Sequence, residues 1–184
     1  MVPNSHSTSL YTLGKGIMYI AEFSGTSPGT YYDVGNCPSL TVEVTQEKLA
    51  HYSSRSGTKT KDKEVVIETG YTIQFQLDEE SIRNLKYYVR GTTSENKIYA
   101  NQSLDREFAI KFVTDNPAGP NKTWYFWRLT LSPNGPLSLI SDEWNTLSFT
   151  GEGLTDVTNH PNSEYFDIWY VTTTSTTTTT TTTA

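Results

Sequence analysis

A chain of 184 residues has the length of one domain that buries about 70% of the surface its unfolded form exposes, so its stability requires no covalent or metal staple. Its 20 acidic and 14 basic residues leave a net charge of −6, which argues against a protein that grips nucleic acid by overall electrostatics. The single Cys37 excludes an intrachain disulfide, and no cysteine and histidine cluster has metal-ligand spacing, so no metal or other cofactor is expected. The first ten residues are polar, without a basic stretch leading into an apolar run, and no secretory signal is expected there. No apolar run nears the roughly 20 residues that span a bilayer. The expectation is a soluble protein made in a reducing cytoplasm, with no membrane partner. The sequons at residues 101–103 and 121–123 are discounted, because a chain rich in Asn, Ser and Thr produces such triplets readily.

In chain order, residues 1–10 read as a loose arm. Gly14 and Gly16 lead into a first strand at residues 17–23, ended by SGTSPG at 24–29. A short strand at 31–34 pairs with it, and GNCP at 35–38 turns the chain.

The stretch 39–77 is the most informative. Leu40, Val42 and Val44 point one way while Thr41, Glu43 and Thr45 point the other. Farther on, Val65, Ile67, Thr69, Tyr71, Ile73, Phe75 and Leu77 share a face, opposite Glu64, Glu68, Thr72, Gln74 and Gln76, with Val66 an exception on the polar side. Such strands belong to an antiparallel sheet packed on a core on one side only. Between them, residues 48–63 read as a long, basic, Ser- and Thr-rich hairpin loop. That is far beyond the usual 4 to 6 residues or so of a connection, so the loop has a purpose of its own. From 48 to 64 the bases Lys48, Arg55, Lys59, Lys61 and Lys63 oppose Asp62 and Glu64, a net of +3, and the other 9 bases and 18 acids leave −9 for the remainder.

After Leu77 the period changes. Asp78 is placed as an N-cap with acids in the first turn, Ile82, Leu85, Tyr88 and Val89 form an apolar stripe, and Gly91 is placed at the C-terminal end; these predict one helix over residues 79–90. Strands resume at 107–114 and 123–131, joined by the loop 115–121. The second of these carries Trp124, Tyr125, Phe126, Trp127 and Arg128, large on both faces, which points to burial within the subunit or across an interface, with Trp124, Tyr125, Trp127 and Arg128 as candidate anchors. A turn at 132–136, a short segment at 137–140, a strand at 144–154 and a last strand at 165–171 complete the domain. Residues 172–184 form a Thr-rich tail lacking apolar side chains that would offset the entropy of ordering. The fold class is mainly β: an antiparallel sandwich or barrel over residues 1–171, with one flanking helix and an extended hairpin.

The segments EKLAHYSSRSG at 47–57 and KDKEV at 61–65 resemble the hairpin of the major tail tube proteins of long, non-contractile-tailed bacteriophages. GKGIMYIA at 14–21 and WNTLSFTGEGLTD at 144–156 add weaker matches, so the resemblance covers residues 11–156. It implies a non-enzymatic virion protein, assembled in the host bacterial cytoplasm, whose hexameric rings stack into the conduit for the genome. Its partners would be copies of itself, the terminator, distal tail and tape measure proteins, and DNA in transit. Lys48, His51, Tyr52, Arg55, Lys59, Lys61, Asp62 and Lys63 would then form an inter-ring loop. Thr41, Glu43, Thr45, Glu68, Thr72, Gln74 and Gln76 would line the lumen, although alternation alone leaves open whether that face looks inward or outward. A type VI secretion-like tube is the related alternative. From another class, a monomeric carbohydrate-binding sandwich would use Trp124, Trp127, Trp144 or Trp169 as platforms.

Catalysis has little support. His6, His51 and His160 fall in segments read as loop or arm, Cys37 precedes a proline in a turn, and no phosphate-binding glycine loop is present. Glu43 and Glu68 are expected to face one another across the hairpin, but paired acids on a wet sheet need no enzymatic explanation.

Overall fold

The computed structural model describes residues 7–55 and 57–171; the Thr-rich tail and His6 lie outside them. The strands are β1 (Gly16–Ser24), β2 (Ser27–Pro28), β3 (Tyr32–Asp33), β4 (Ser39–Ser53), β5 (Thr60–Leu77), β6 (Thr92–Ser94), β7 (Lys97–Tyr99), β8 (Glu107–Thr114), β9 (Lys122–Pro133), β10 (Leu147–Gly153) and β11 (Phe166–Tyr170), with one helix, α1 (Ile82–Tyr88), between β5 and β6. Nine strands form one antiparallel sheet in the order β2-β1-β8-β9-β10-β5-β4, with β3 on β1 and β11 on β9, and β6 and β7 pair separately.

The sheet curls over its own apolar face. Met18 and Ile20 of β1, Ile73 and Phe75 of β5, Ile110 of β8, Phe126 and Leu129 of β9 and Phe149 of β10 are almost wholly buried in one cluster. Leu40 and Val42 of β4 face Phe112, Trp124 and Phe126 across an apolar cleft of about 300 Å³. No ladder joins β4 to β1 among the described residues, so the sequence's choice between sandwich and barrel resolves to a sandwich-like fold whose sheet is open at β4 and at β1 with its short partners.

The paired aromatics of β9 have a local cause. Between Phe108 and Ile110 the β8–β9 register slips, so that Phe108 opposes Leu129 and Ile110 opposes Phe126. The extra residue on β9 is a bulge, which bends the strand and re-aims its side chains. Phe126 faces the core, while Trp127 is covered from outside by His160, stacked at 3.6 Å between centroids.

The helix is shorter than its pattern predicted, and its cap is Ser81, whose Oγ accepts from the Asn84 amide at 3.1 Å. Asp78 and Glu79 serve another purpose: each accepts a hydrogen bond from Asn36, Glu79 from its amide at 2.9 Å, and they fix the turn before β4. The expected apolar stripe is also displaced, since Ile82 is exposed and the buried face is set by Asn84 and Tyr87. Asn84 is almost fully buried because its Nδ2 donates to the carbonyls of Val34 and Glu79, at 2.9 and 2.8 Å. At the C-terminus the amides of Arg90 and Gly91 bond back to Tyr87 and Lys86, with Arg90 in the left-handed region at φ 49°. Gly91 is therefore not the left-handed residue of this cap; a Cβ there would stand 2.5 Å from the Tyr99 carbonyl oxygen. The hairpin β6–β7 carried no hydrophobic pattern in the sequence, and the segment 137–140 forms no strand.

Candidate assembly surfaces

Residues 48–63 are mostly strand, and this corrects the long loop expected there. β4 and β5 remain paired out to Ser53 and Thr60, leaving only residues 54–59 as connection. β5 pairs with β10 only from Leu77 to Thr72, and the Tyr165 hydroxyl donates to the Thr69 carbonyl at 2.7 Å. Beyond that point β4 and β5 have only each other as strand neighbours among the described residues, and from Glu68 to Thr60 the arm runs roughly 30 Å at about 3.3 Å per residue.

Two irregularities shape the arm. Glu47 opposes Glu68 and Lys48 opposes Val66, so Ile67 is an extra residue; His51 opposes Lys63 and Tyr52 opposes Lys61, so Asp62 is another. Each bulge reverses the alternation on β5. Val65 consequently joins Leu49 on the face that carries Glu47 and Glu68, while Val66 and Glu64 lie on the other. Unbroken alternation puts Val65 and Ile67 on the core face and Val66 on the polar one as an exception; that exception is the trace of the first bulge. Val44, Leu49, Val65, Val66 and Ile67 are all exposed.

Several charges of the arm are internally engaged. Glu64 pairs with Lys48 at 3.4 Å and with Lys61, His51 Nδ1 meets Asp62 at 2.6 Å, and the Lys59 ammonium lies 4.9 Å from the centre of the Tyr52 ring. Arg55 and Lys63 have no carboxylate partner among the described residues.

The polar face follows the observed register. Thr41 opposes Gln74, Glu43 opposes Thr72 and Ser39 opposes Gln76, while Leu40 and Val42 oppose Phe75 and Ile73 on the core side. Thr41, Glu43, Thr45, Glu68, Gln74 and Gln76 are exposed and Thr72 is half-buried. The expected Glu43–Glu68 opposition does not form; Glu47 is the residue across from Glu68. Sequence reading also missed how far this face extends: Glu152 and Thr150 of β10 oppose Thr72 and Gln74, and Thr130 and Ser132 of β9 oppose them in turn. Only a sheet order, which no local pattern carries, would have revealed that row.

The aromatic anchors are committed largely within the subunit. Trp124 stacks on Phe126 and Phe166, Tyr125 stacks on Trp127 and meets Trp169 at a tilt, and Arg128 grips Glu107 through two hydrogen bonds of 2.7 and 2.9 Å. Hydrogen bonding to Glu107 is the largest influence on the Arg128 pKa and raises it. The Cys37 thiol is pushed up by burial and donates to the Ser39 carbonyl at 3.3 Å, an arrangement unsuited to a nucleophile. Among the described residues no group of three or more His, Cys, Asp and Glu side chains is placed to hold a metal, and no helix is long and apolar enough to cross a membrane.

A sandwich-like antiparallel fold with a projecting two-stranded arm defines the class. The chain belongs to the family described as "Protein of unknown function UCP028589", whose pattern matches residues 11–103. No curated protein matches it. Among solved structures, it is similar to a chain in the cryo-EM structure of an extracellular contractile injection system, the PVC sheath-tube complex in extended state, at 10% identity and a TM-score of 0.38, over 82% of this chain and 88% of that one.

Proposed function

We propose that the protein is a non-enzymatic structural subunit that assembles with copies of itself into stacked rings forming a tube. The observation that carries this reading is the arm. A two-stranded hairpin is at best marginally stable alone in water, and this one holds Leu49, Val65, Val66 and Ile67 out to solvent; contact with another subunit supplies the burial it lacks. The free edges at β4 and at β1 with its short partners offer the lateral junctions, because exposed strand edges are paired, covered or blunted in a finished assembly. Negative-stain imaging of purified protein tests the proposal. Rings or tubes are expected; compact monomers at high concentration overturn it.

The sequence resemblance refines the reading to a phage tail tube, with six subunits per ring and DNA as the cargo. The face bearing Glu43, Glu68 and Glu152 is compatible with that cargo, since carboxylates repel a phosphate backbone over about one Debye length, roughly 8 Å at physiological salt. The tube of an injection device shares the assembly and differs in what passes through it; identifying the lumen contents of tubes isolated from their source separates the two.

A further inference from the structure

We propose that the tip of the arm seats on the opposite end of a second copy, against the exposed apolar loop 137–145 and the carboxylates that rim it. The proposal rests on the tube-subunit reading and identifies which surfaces of two copies meet.

β5 is one continuous strand of 18 residues, roughly 60 Å long at about 3.3 Å per residue. Thr60 lies at the arm tip and Leu77 at the other end, where Leu147 opposes it. Asp78 and Glu80 follow Leu77 directly, and the loop preceding β10 comes to the same end. There Leu139 is 82%, Ile140 97% and Trp144 96% exposed, a tryptophan almost entirely in water. With Asp78, Glu80 and Glu143 two of these, Leu139 and Trp144, line an open cleft of about 380 Å³.

The rim identifies the occupant. Asp78, Glu79, Glu80, Asp142 and Glu143 have no ion-pair partner among the described residues. The hydrogen bonds that Asp78 and Glu79 accept come from Asn36, a neutral donor, and leave their charge uncompensated. Cations on the adjoining helix are committed elsewhere: Arg83 lies over the Tyr32 ring at 3.6 Å, and Lys86 bonds Glu22 at 3.1 Å. The arm has the complementary character: Arg55 and Lys59 stand in its terminal connection, with Lys59 over the Tyr52 ring, and Lys63 is two residues from the exposed Val65, which opposes the exposed Leu49. Trp144 and the aliphatic side chains would supply the anchoring area, and the charges would select partner and register.

The tip cannot fold back on its own seat, because the strand between them is continuous and paired along its length. The contact is therefore between copies. It joins unlike ends of the molecule, and heterologous contacts that do not close on themselves propagate as stacks.

Two measurements test it. Zero-length carbodiimide cross-linking of the wild-type protein, read by mass spectrometry, is expected to join Lys59 or Lys63 of one copy to Asp142 or Glu143 of another. Charge reversal provides the second. Asp142→Lys with Glu143→Lys, and separately Arg55→Glu with Lys59→Glu, all at exposed positions, should each reduce the sedimenting fraction at least tenfold, and all four substitutions in one chain should restore it. Tubes that form without these cross-links, or reversals that sediment like wild type, overturn the seat while leaving the tube reading intact. Loss in both pairs without recovery in the combination shows that the two ends matter but do not meet, and also overturns it. Monomers without cross-links at high concentration remove both readings.

Discussion

At the residue scale, the core places unequal demands on its polar groups. Burial raises the Tyr31 and Tyr87 hydroxyls to about 12, with smaller contributions from Tyr125 and Glu22 respectively, and raises Tyr71 further. Below the ordinary tyrosine value of about 10, folded and unfolded chains hold these protons alike. Between about pH 10 and pH 12 the unfolded chain releases them while the fold retains them, so stability is lost as pH rises. Through these groups urea midpoints should fall as the pH rises above about 10, with tyrosinate absorbance from these rings appearing only on unfolding. A second test concerns Gly153, whose added Cβ would collide with the Tyr71 ring. That ring is 3% exposed and packed by Phe126, Tyr165 and Phe166, so it has no room to yield. Gly153→Ala should cost about 3 kcal/mol in urea denaturation with an unchanged m value, the upper part of the usual overpacking range. Neither requirement was visible in the sequence, since both arise from strands that meet only in the folded sheet.

At the element scale, strands were legible where local alternation coincided with burial. The sequence expectation for β8 matches the observed bounds, and β1 and β11 agree to within a residue at each end. The helix was legible in existence but not in extent: its acids were read as caps, whereas they hold Asn36, and its buried face is organised by a polar side chain that hydrophobic periodicity does not register. The arm resembles a loop in the sequence for a related reason. Bulges at Ile67 and Asp62 break the period of two, and charged residues on a strand resemble a loop when pairing is unseen. Its separability yields a prediction. Lys48 and Val66 are directly opposed, so residues 49–65 can be replaced by a two-residue Asn-Gly turn, the type I′ geometry that matches strand twist. The shortened protein should keep its fold by circular dichroism and remain monomeric in analytical ultracentrifugation. Tubes formed by that variant would remove the arm from any role in assembly.

At the scale of the whole molecule, the question is which way the polar face looks. Register shows that Glu43, Thr72 and Glu152 form one row across three strands, and strands about 4.8 Å apart place the two carboxylates roughly 10 Å from one another. The opposite face is occupied by the core, so in a tube this row faces either the lumen or the exterior. We propose that it faces the lumen, on the resemblance to tail tubes and on the chemistry of transit: a wall with cations would displace counterions from phosphate and hold the strand, whereas a carboxylate wall keeps it moving. Glu43→Lys with Glu152→Lys should leave assembly intact, because both side chains are exposed. Short labelled duplex DNA should then be retained by variant tubes and excluded by wild-type ones. Retention should weaken with salt along a log–log slope of about −0.9 for each phosphate neutralised. Retention is to be measured on open-ended and end-capped tubes in parallel. Binding confined to open tubes places the row inside; equal binding by capped tubes places it on the outer surface and ends the lumen assignment.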